Sequence, residues 1–372
     1  MVDAYYGPPE LKNRVAAEAP RPPAELEARA RRLLAALAAD TDLDPARRHF
    51  LLAQVRGLRT TAAKLAGEAI GYVDEVEACY GVRPDMVPED VFAAAHRRLD
   101  DALPGSGPLA ERYVTWREAQ AVPPDKLRPA VESLAEELRA RTKTLWGLPD
   151  DEFVEFDLVT NEPWAGFNYY LGNLRSRVVI NIDLPVLSTS LGHLVAHEAY
   201  PGHHTEHCRK EVGLVRRRRF LEETIFLVGT PQCLLAEGLA DLGLEVVAGP
   251  RPEPVVAGHL QPLGIPYDAD LVAQLSEAGQ ALGAVRGNAA LLLHDRGAPV
   301  ETVVDYLARW SLLSRRRAEK AVEFLVDPTW RAYVYCYIEG VARCRRFVAG
   351  DPSRFARLIS EQLTPADLVT AG

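Results

Sequence analysis

Apolar residues recur at spacings of three and four over much of the chain, which is the period of one helix face. The pattern is clearest in AELEARARRLLAALAA, which begins at Ala24, and in ARRHFLLAQVRGLRTTAAKLAG, which begins at Ala46. Both segments are rich in the strong helix formers Ala, Leu and Arg. The sequence therefore predicts helices over residues 24–145, with proline-rich breaks at 20–23, 84–88, 104–108 and 123–124.

The periodicity changes at residue 152, where polar residues begin to alternate with aromatic or β-branched ones. The segments EFVEFDLVTNEP, GFNYYLGN and SRVVINID show this alternation, and Gly-Asn-Leu-Arg joins the last two. Alternation around such a turn is typical of a β-hairpin. The helical pattern returns at Ser188 and continues to the end, apart from a predicted loop at 249–266. We therefore predict a mainly α fold with one small antiparallel sheet ahead of the helix that begins at Ser188.

The same change divides the chain into an N-terminal helical region, 1–150, and a region 151–372 that holds the sheet, the histidine-rich segment and the C-terminal helices. A length of 372 residues fits one large domain or two intimate ones. We expect the two regions to form one compact unit.

Composition narrows the class of partner. The chain has 43 basic and 52 acidic residues, a net charge of −9, which argues against nucleic-acid and anionic-membrane binding. No apolar run approaches the ~20 residues needed to span a bilayer. The segment MVDAYYGPPELKNRV lacks the basic and apolar blocks of a signal peptide. Five cysteines without a CxxC pair are typical of reduced thiols. We expect a cytoplasmic protein that acts on a small-molecule or peptide substrate; its oligomeric state is left open.

Five of the nine histidines lie in HLVAHEAYPGHHTEH, residues 193–207. His197 and Glu198 match the start of H-E-x-x-H, in which two histidines on one helix face bind zinc and the glutamate acts as general base. Here Pro201 stands where the second histidine would be. Because Pro-Gly continues a helix poorly, we expect a break that returns either His203 or His204 to His197.

A later helix is expected to supply the third ligand. LLAEGLADLGLEVV places Glu237 on a helix with Asp241 one turn further on. Glu237 is the candidate ligand, and Asp241 is a candidate to hold a ligand histidine by its other ring nitrogen. His193, four residues before His197, is a candidate for a similar supporting role. Adjacent histidines point in different directions, so we expect only one of the two at 203 and 204 to bind the metal.

HEAYPGHH, together with EGLADL, resembles the bacterial family called domain of unknown function 885, whose members carry an HExxPGHH box and a downstream EGW-A-type helix. The N-terminal AYYGPPEL is also similar. That family is similar in fold to the helical carboxypeptidase Taq group of zinc peptidases. The chain departs from the pattern at Leu239, which stands in place of tryptophan.

The resemblance implies a helical metallopeptidase-like fold and one Zn²⁺ per chain. It also implies a ligand set, made up of His197, one of His203 and His204, and Glu237, with Glu198 as the base. The Gly-His pair of the carboxypeptidase Taq relatives favours His203 over its neighbour.

Other side chains are candidates for contacts with substrate. Tyr333 and Tyr337, in RAYVYCYIEG, share a helix face and are candidates to stabilise an oxyanion, with a place in the core as the alternative. Arg286 could hold a substrate carboxylate or form a surface salt bridge. GFNYYLGN could pair with an extended substrate as an edge strand or be a plain structural hairpin. We expect a cleft walled by N- and C-terminal helices.

These features together predict a zinc-dependent hydrolase that uses metal-activated water to cleave an amide bond, and a peptide bond is the favoured amide. Two alternatives remain open at this point. One is a metal-dependent lyase or non-peptide hydrolase of secondary metabolism, and the other is a metal-binding protein without turnover.

Overall fold

The structure, a computed structural model, describes residues 2–162 and 164–369. Most of the helices in the first region begin at or directly after a proline, because the first turn of a helix tolerates the missing N–H. The predicted breaks are thus the places where helices start. The helices are α1 Pro9–Ala17, α2 Pro23–Ala39, α3 Pro45–Leu65, α4 Tyr72–Tyr80, α5 Glu89–Ala102, α6 Leu109–Glu118 and α7 Pro124–Trp146.

The described strands form two small sheets. Their bounds are β1 Val2–Tyr5, β2 Phe153–Val159, β3 Gly166–Gly172, β4 Arg175–Asn181 and β5 Ile225–Leu227. The predicted hairpin is confirmed: β3 and β4 are antiparallel across a two-residue turn in which Asn173 and Leu174 both have positive φ. Strand β2 runs parallel to β4, so this sheet, in the order β2-β4-β3, is mixed and not antiparallel throughout. The antiparallel pair β1 and β5 was not expected.

Helices dominate the rest, which confirms the mainly α prediction. They are α8 Ser188–Glu198, α9 His203–Lys210, α10 Pro231–Ala248, α11 Glu253–Leu260, α12 Ala269–Gly279, α13 Val285–His294, α14 Val300–Trp310, α15 Arg315–Val326, α16 Val341–Val348 and α17 Pro352–Leu358, with π-helical segments at Glu211–Arg217 and Cys336–Gly340. Helix α8 begins at Ser188, as predicted. The stretch 249–266 is not the predicted loop throughout, because Pro252 and Pro254 fall before and within the first turn of α11, where proline is tolerated.

Helix α10 is the centre of the fold. It is buried on almost all sides between Pro231 and Gly243, as expected for a helix that is apolar around most of its circumference. A Cβ on Gly238 would lie 2.3 Å from the carbonyl carbon of Gly340, so glycines allow α10 and the Cys336–Gly340 segment to cross in backbone contact. This crossing brings the tyrosines that precede Gly340 to the same level as Glu237.

Residues from both regions of the chain share one core. Tyr72 and Phe92 from the N-terminal region pack in the same buried cluster as Leu234 and Leu239 of α10. A second cluster joins α7 to α8 and α11 beneath the mixed sheet. No helix among residues 2–162 and 164–369 is long and apolar enough to cross a membrane.

Candidate metal centre and its cavity

The Pro-Gly pair forms a corner between α8 and α9. Helix α8 ends at Glu198 and α9 begins at His203, so the predicted break is present. The Gly202 N–H donates to the carbonyl of Ala196 at 2.9 Å, and the Tyr200–Pro201 peptide bond is cis. The corner returns the chain toward α8, and the first residue of α9 faces the last turn of α8.

Three side chains from α8, α9 and α10 meet at this corner. His203 Nε2 lies 3.1 Å from His197 Nε2. Glu237 Oε2 lies 3.5 Å from His197 Nε2, and Glu237 Oε1 lies 3.5 Å from His203 Nε2. Two donors that each lie about 2.0–2.1 Å from a tetrahedral zinc ion are roughly 3.3 Å apart. The Oε2 atom of Glu237 is buried and accepts no hydrogen bond from the described residues. The donor types, their separations and this unpaired oxygen all fit a zinc ion.

Asp241 forms a hydrogen bond with the ring of His197. Asp241 Oδ1 lies 2.9 Å from His197 Nδ1, and a carboxylate can only accept there, so Nδ1 donates this hydrogen bond and Nε2 is the nitrogen turned toward the centre. His193 approaches the same oxygen at 3.3 Å and is half-exposed. The structure therefore places His193 beside Asp241 and not among the three donors.

The centre is electrostatically suited to a cation. Burial opposes a charge on His197, but the hydrogen bond with Asp241 and the charges of Glu198, Asp241 and Glu237 outweigh it and raise its pKa to about 10. Burial also opposes ionisation of Asp241, yet its hydrogen bonds with His193 and His197 hold its pKa below the usual range. Negative charge on three carboxylates thus dominates the surroundings of the imidazoles.

His204 points away from the centre, so the structure brings only His203 of the adjacent pair to the donor set. Its Nδ1 lies 2.8 Å from Ser176 Oγ, and its Nε2 lies 2.8 Å from Glu152 Oε2. Glu152 also accepts hydrogen bonds from Tyr200 at 2.7 Å and from Arg139. His204 and Glu152 have fully buried side chains. This network anchors α9 against β4 and α7 instead of contributing a ligand.

Glu198 lies between the donor set and strand β3. One of its carboxylate oxygens is within 4.8 Å of the ring nitrogens of His197 and His203. Its Oε1 would be 3.3 Å from a Cβ on Gly166, and Asn168 donates to its backbone carbonyl at 2.6 Å. Burial raises the pKa of Glu198, and the two histidines act in the opposite direction. A buried carboxylate with a raised pKa is suited to accept and return a proton near neutral pH.

The two candidate tyrosines occupy different places. Tyr333 donates to Glu237 Oε1 at 2.8 Å and so fixes that carboxylate. Tyr337 packs edge-on against Tyr333 with ring centroids 5.4 Å apart, is 40% exposed and lines the cavity. Burial raises the pKa of both phenols, which keeps them protonated and able to donate. Tyr337 is the one that faces open space.

A cavity of about 230 Å³ opens above the donor set. Besides the residues already described, its walls are Trp164, Phe167, Phe226, Val228, Phe324 and Trp330, with His207 at the side. The expectation of a wall from the N-terminal helices is wrong, because strand β3 and the segment before it occupy that side. The aromatic walls were missed from sequence, since alternation in GFNYYLGN predicts a strand but not which face meets a cavity.

Arg286 is not brought into the cavity. It is exposed on α13 and is not among the lining residues, although it is close enough to Tyr337 to interact with it electrostatically. It forms no ion pair with any residue in the described part of the chain, so the surface salt bridge is not observed either. All five cysteines are buried thiols outside any disulfide, and Cys208 Sγ lies 3.5 Å from His204 Nε2.

Comparison with known proteins gives a fold and no function. No protein-family model and no curated protein sequence matches this chain. Among solved structures, a "putative lipoprotein" from Colwellia psychrerythraea superposes with a TM-score of 0.56 at 16% identity, over 91% of this chain and 64% of that one. A "putative lipoprotein of unknown function" from Shewanella oneidensis gives a TM-score of 0.51 at 14% identity, over 90% and 68%. The chain thus spans about two thirds of each structure and shares its fold.

Proposed function

We propose that this protein is a zinc-dependent hydrolase that cleaves an amide bond, in a peptide or a peptide-like molecule. The observation that carries the proposal is the mutual approach of His197, His203 and Glu237 at 3.1 to 3.5 Å, from three different helices. We also propose a distant membership of the domain of unknown function 885 family, which rests on the HEAYPGHH box and on the helix with Glu237.

The proposed ligands leave room for substrate chemistry. Two histidines and one glutamate are three protein ligands, and a catalytic zinc ion keeps its fourth position open. A bound zinc ion would polarise a substrate carbonyl and lower the pKa of water in that position toward ~7. Asp241 supports the arrangement by holding the ring of His197.

Glu198 is the proposed proton carrier. Its carboxylate lies beside the donor set, and burial raises its pKa, so it is suited to take a proton from the attacking water. The water oxygen forms a bond to the carbonyl carbon, and the carbon–nitrogen bond then breaks. Glu198 returns its proton to the departing nitrogen, which leaves as an amine while the acyl part leaves as a carboxylic acid.

Tyr337 and strand β3 are proposed to position the substrate. Tyr337 lines the cavity, and burial raises the pKa of its phenol, so we propose that its hydroxyl donates to the oxygen that becomes negative during attack. Strand β3 is at the edge of its sheet, and Gly166 and Asn168 line the cavity. An extended substrate backbone could pair with that edge. Tyr333 acts through Glu237 and is a positioning residue.

The test combines metal analysis with product analysis. We expect about one zinc per chain, loss of activity on chelation, and one ¹⁸O atom in the acid product when a panel of amides is cleaved in H₂¹⁸O. Glu198→Gln should keep zinc and lose roughly 10²–10⁴-fold in turnover. Glu245→Gln, a surface change on α10 where Glu245 pairs with Arg345, is the matched control.

Each alternative has its own outcome in this experiment. Products without ¹⁸O would indicate a lyase, and cleavage of esters or other non-amide bonds alone would indicate a different hydrolase. A protein that binds zinc without turnover, and whose Glu198→Gln variant binds zinc equally well, would indicate a binding protein. Full activity in metal-free protein would end the proposal.

A further inference from the structure

The cavity above the donor set has two aromatic walls. One wall comes from the segment before β3 and from β3 itself, where the rings of Trp164 and Phe167 lie 5.7 Å apart. The other follows α15: the rings of Trp330 and Phe324 stack at 6.2 Å, and Trp330 meets Tyr333 edge-on at 5.5 Å. Phe324 is 38% exposed although it is large and apolar. A substrate group between these walls would cover apolar surface that now faces solvent.

The charges of the cavity leave no partner for a charged substrate group. Among the described residues that line it, none is a lysine or an arginine, and the acids are Glu198 and Glu237. Both acids face the two histidines of the donor set. A divalent cation held there would balance these two negative charges. A free carboxylate would find no cation from the protein in the cavity, and a free ammonium would have to compete for the acids of the centre.

The size of the cavity limits the group that fits. About 230 Å³ is below the roughly 300–1,000 Å³ of pockets that enclose drug-sized ligands. One ring fits such a space, and several peptide residues do not. Aromatic rings in both walls favour an aromatic group, because offset and edge-on ring contacts add to the burial of apolar surface.

We propose that the substrate is a blocked amide with one uncharged aromatic group next to the scissile bond, and that this group binds between Phe167 and Trp330 with neither free terminus in the cavity. This substrate class rests on the proposed amide hydrolysis. It excludes the recognition of a C-terminal carboxylate at this site.

The experiment uses zinc-loaded protein and small blocked dipeptides. Acetyl-X-Gly-methylamide and acetyl-Gly-X-methylamide, with X as Phe, Glu or Lys, carry the test group on either side of the central amide. Products are followed by mass spectrometry, with the unblocked dipeptides Phe-Gly and Gly-Phe in parallel. We expect kcat/KM for the better blocked Phe compound to exceed that of every charged or unblocked compound by at least about tenfold.

Variants of the walls test the location of the ring. Phe167→Leu and Trp330→Leu should each keep zinc and reduce the preference for Phe over Glu by about tenfold, because an aromatic contact is lost while an apolar side chain remains. Phe153→Leu is the matched control, since Phe153 is an exposed phenylalanine on β2 and does not line the cavity. An unchanged preference in both wall variants would overturn the proposal.

Failure of the substrate class is distinguishable from failure of the hydrolase. If amides are cleaved but a Glu, Lys or unblocked compound is preferred, hydrolysis stands and the substrate class falls. A preference for Glu that Arg286→Gln removes would instead assign Arg286 to a substrate carboxylate. If no amide is cleaved, the aromatic site is tested by calorimetric titration of the zinc-loaded Glu198→Gln variant with the same compounds. Tighter binding of the Phe compounds supports the aromatic site, whereas equal or undetectable binding overturns it.

Discussion

Gly202 lies directly against the carbonyl group of His197: a Cβ at position 202 would be 1.9 Å from that oxygen. No side chain is compatible with that distance, so the backbone of the corner passes over the end of α8 only because residue 202 is glycine. The corner places His203 Nε2 3.1 Å from His197 Nε2 although the two residues are six positions apart. The Pro-Gly pair thus brings together two histidines that lack the regular i, i+4 spacing of the H-E-x-x-H motif.

Replacement of Gly202 by alanine should disrupt this corner. The new Cβ forces the backbone away from His197, and we expect the free energy of unfolding to fall by at least about 2 kcal/mol, together with loss of stoichiometric zinc. Gly213→Ala is the control, because a Cβ at Gly213 meets nothing within 4 Å. Chemical denaturation and metal analysis report the two effects. A stable Gly202→Ala protein with full zinc would contradict this account of the corner.

The adjacent histidines should respond differently to alanine. His203→Ala removes a proposed ligand, so zinc should be lost or bound far more weakly. His204→Ala should keep zinc and lower the free energy of unfolding by about 2–3 kcal/mol, because buried Glu152 loses one partner but keeps Tyr200 and Arg139.

The control for His204→Ala is His259→Ala. His259 also contacts a serine, because its Nδ1 lies 2.8 Å from Ser133 Oγ, but its side chain is partly exposed. Its cost should be below about 1 kcal/mol. If His204→Ala strips zinc while His203→Ala retains it, the assignment of the two histidines is reversed and the donor set is wrong.

Asp241→Asn should weaken zinc binding without removing a ligand. The substitution replaces the negative carboxylate beside His197 Nδ1 by a neutral carboxamide, so the imidazole of His197 is less basic and less firmly oriented. We expect the affinity to fall by roughly 10–100-fold in a titration against a competing chelator. Asp270→Asn, at an exposed pair with Arg251, should leave the affinity unchanged. An Asp241→Asn protein that binds zinc as tightly as the parent would show that this hydrogen bond does not support the centre.

Local sequence patterns predicted the elements that carry the centre. Periodicity predicts that α8 begins at Ser188, and the missing N–H of Pro201 predicts the break after it. The turn between β3 and β4 predicts the hairpin. The one-turn spacing of Glu237 and Asp241 put both acids on one helix face. These features depend on neighbours within a few residues, and such neighbours are visible in a sequence.

The features that were missed depend on contacts between distant residues. Nothing near His204 in the chain indicates that Glu152, 52 residues earlier, will meet its ring. The parallel pairing of β2 with β4 is invisible in a strand pattern, which specifies faces but not neighbours. The aromatic wall at Phe324 and Trp330 likewise forms only because the chain after α15 returns across α10, where Gly238 and Gly340 permit close approach.

The most direct test of the centre is an anomalous-difference map from crystals of the zinc-loaded protein, measured above and below the zinc absorption edge. We expect one dominant peak per chain, about 2.0–2.2 Å from His197 Nε2, His203 Nε2 and an oxygen of Glu237. The group His193, His197 and Asp241 is an alternative site, since its ligand atoms lie within 4.8 Å of one another, as do those of His197, Glu198 and His203. A peak at that group, or no peak near His203, would contradict the account.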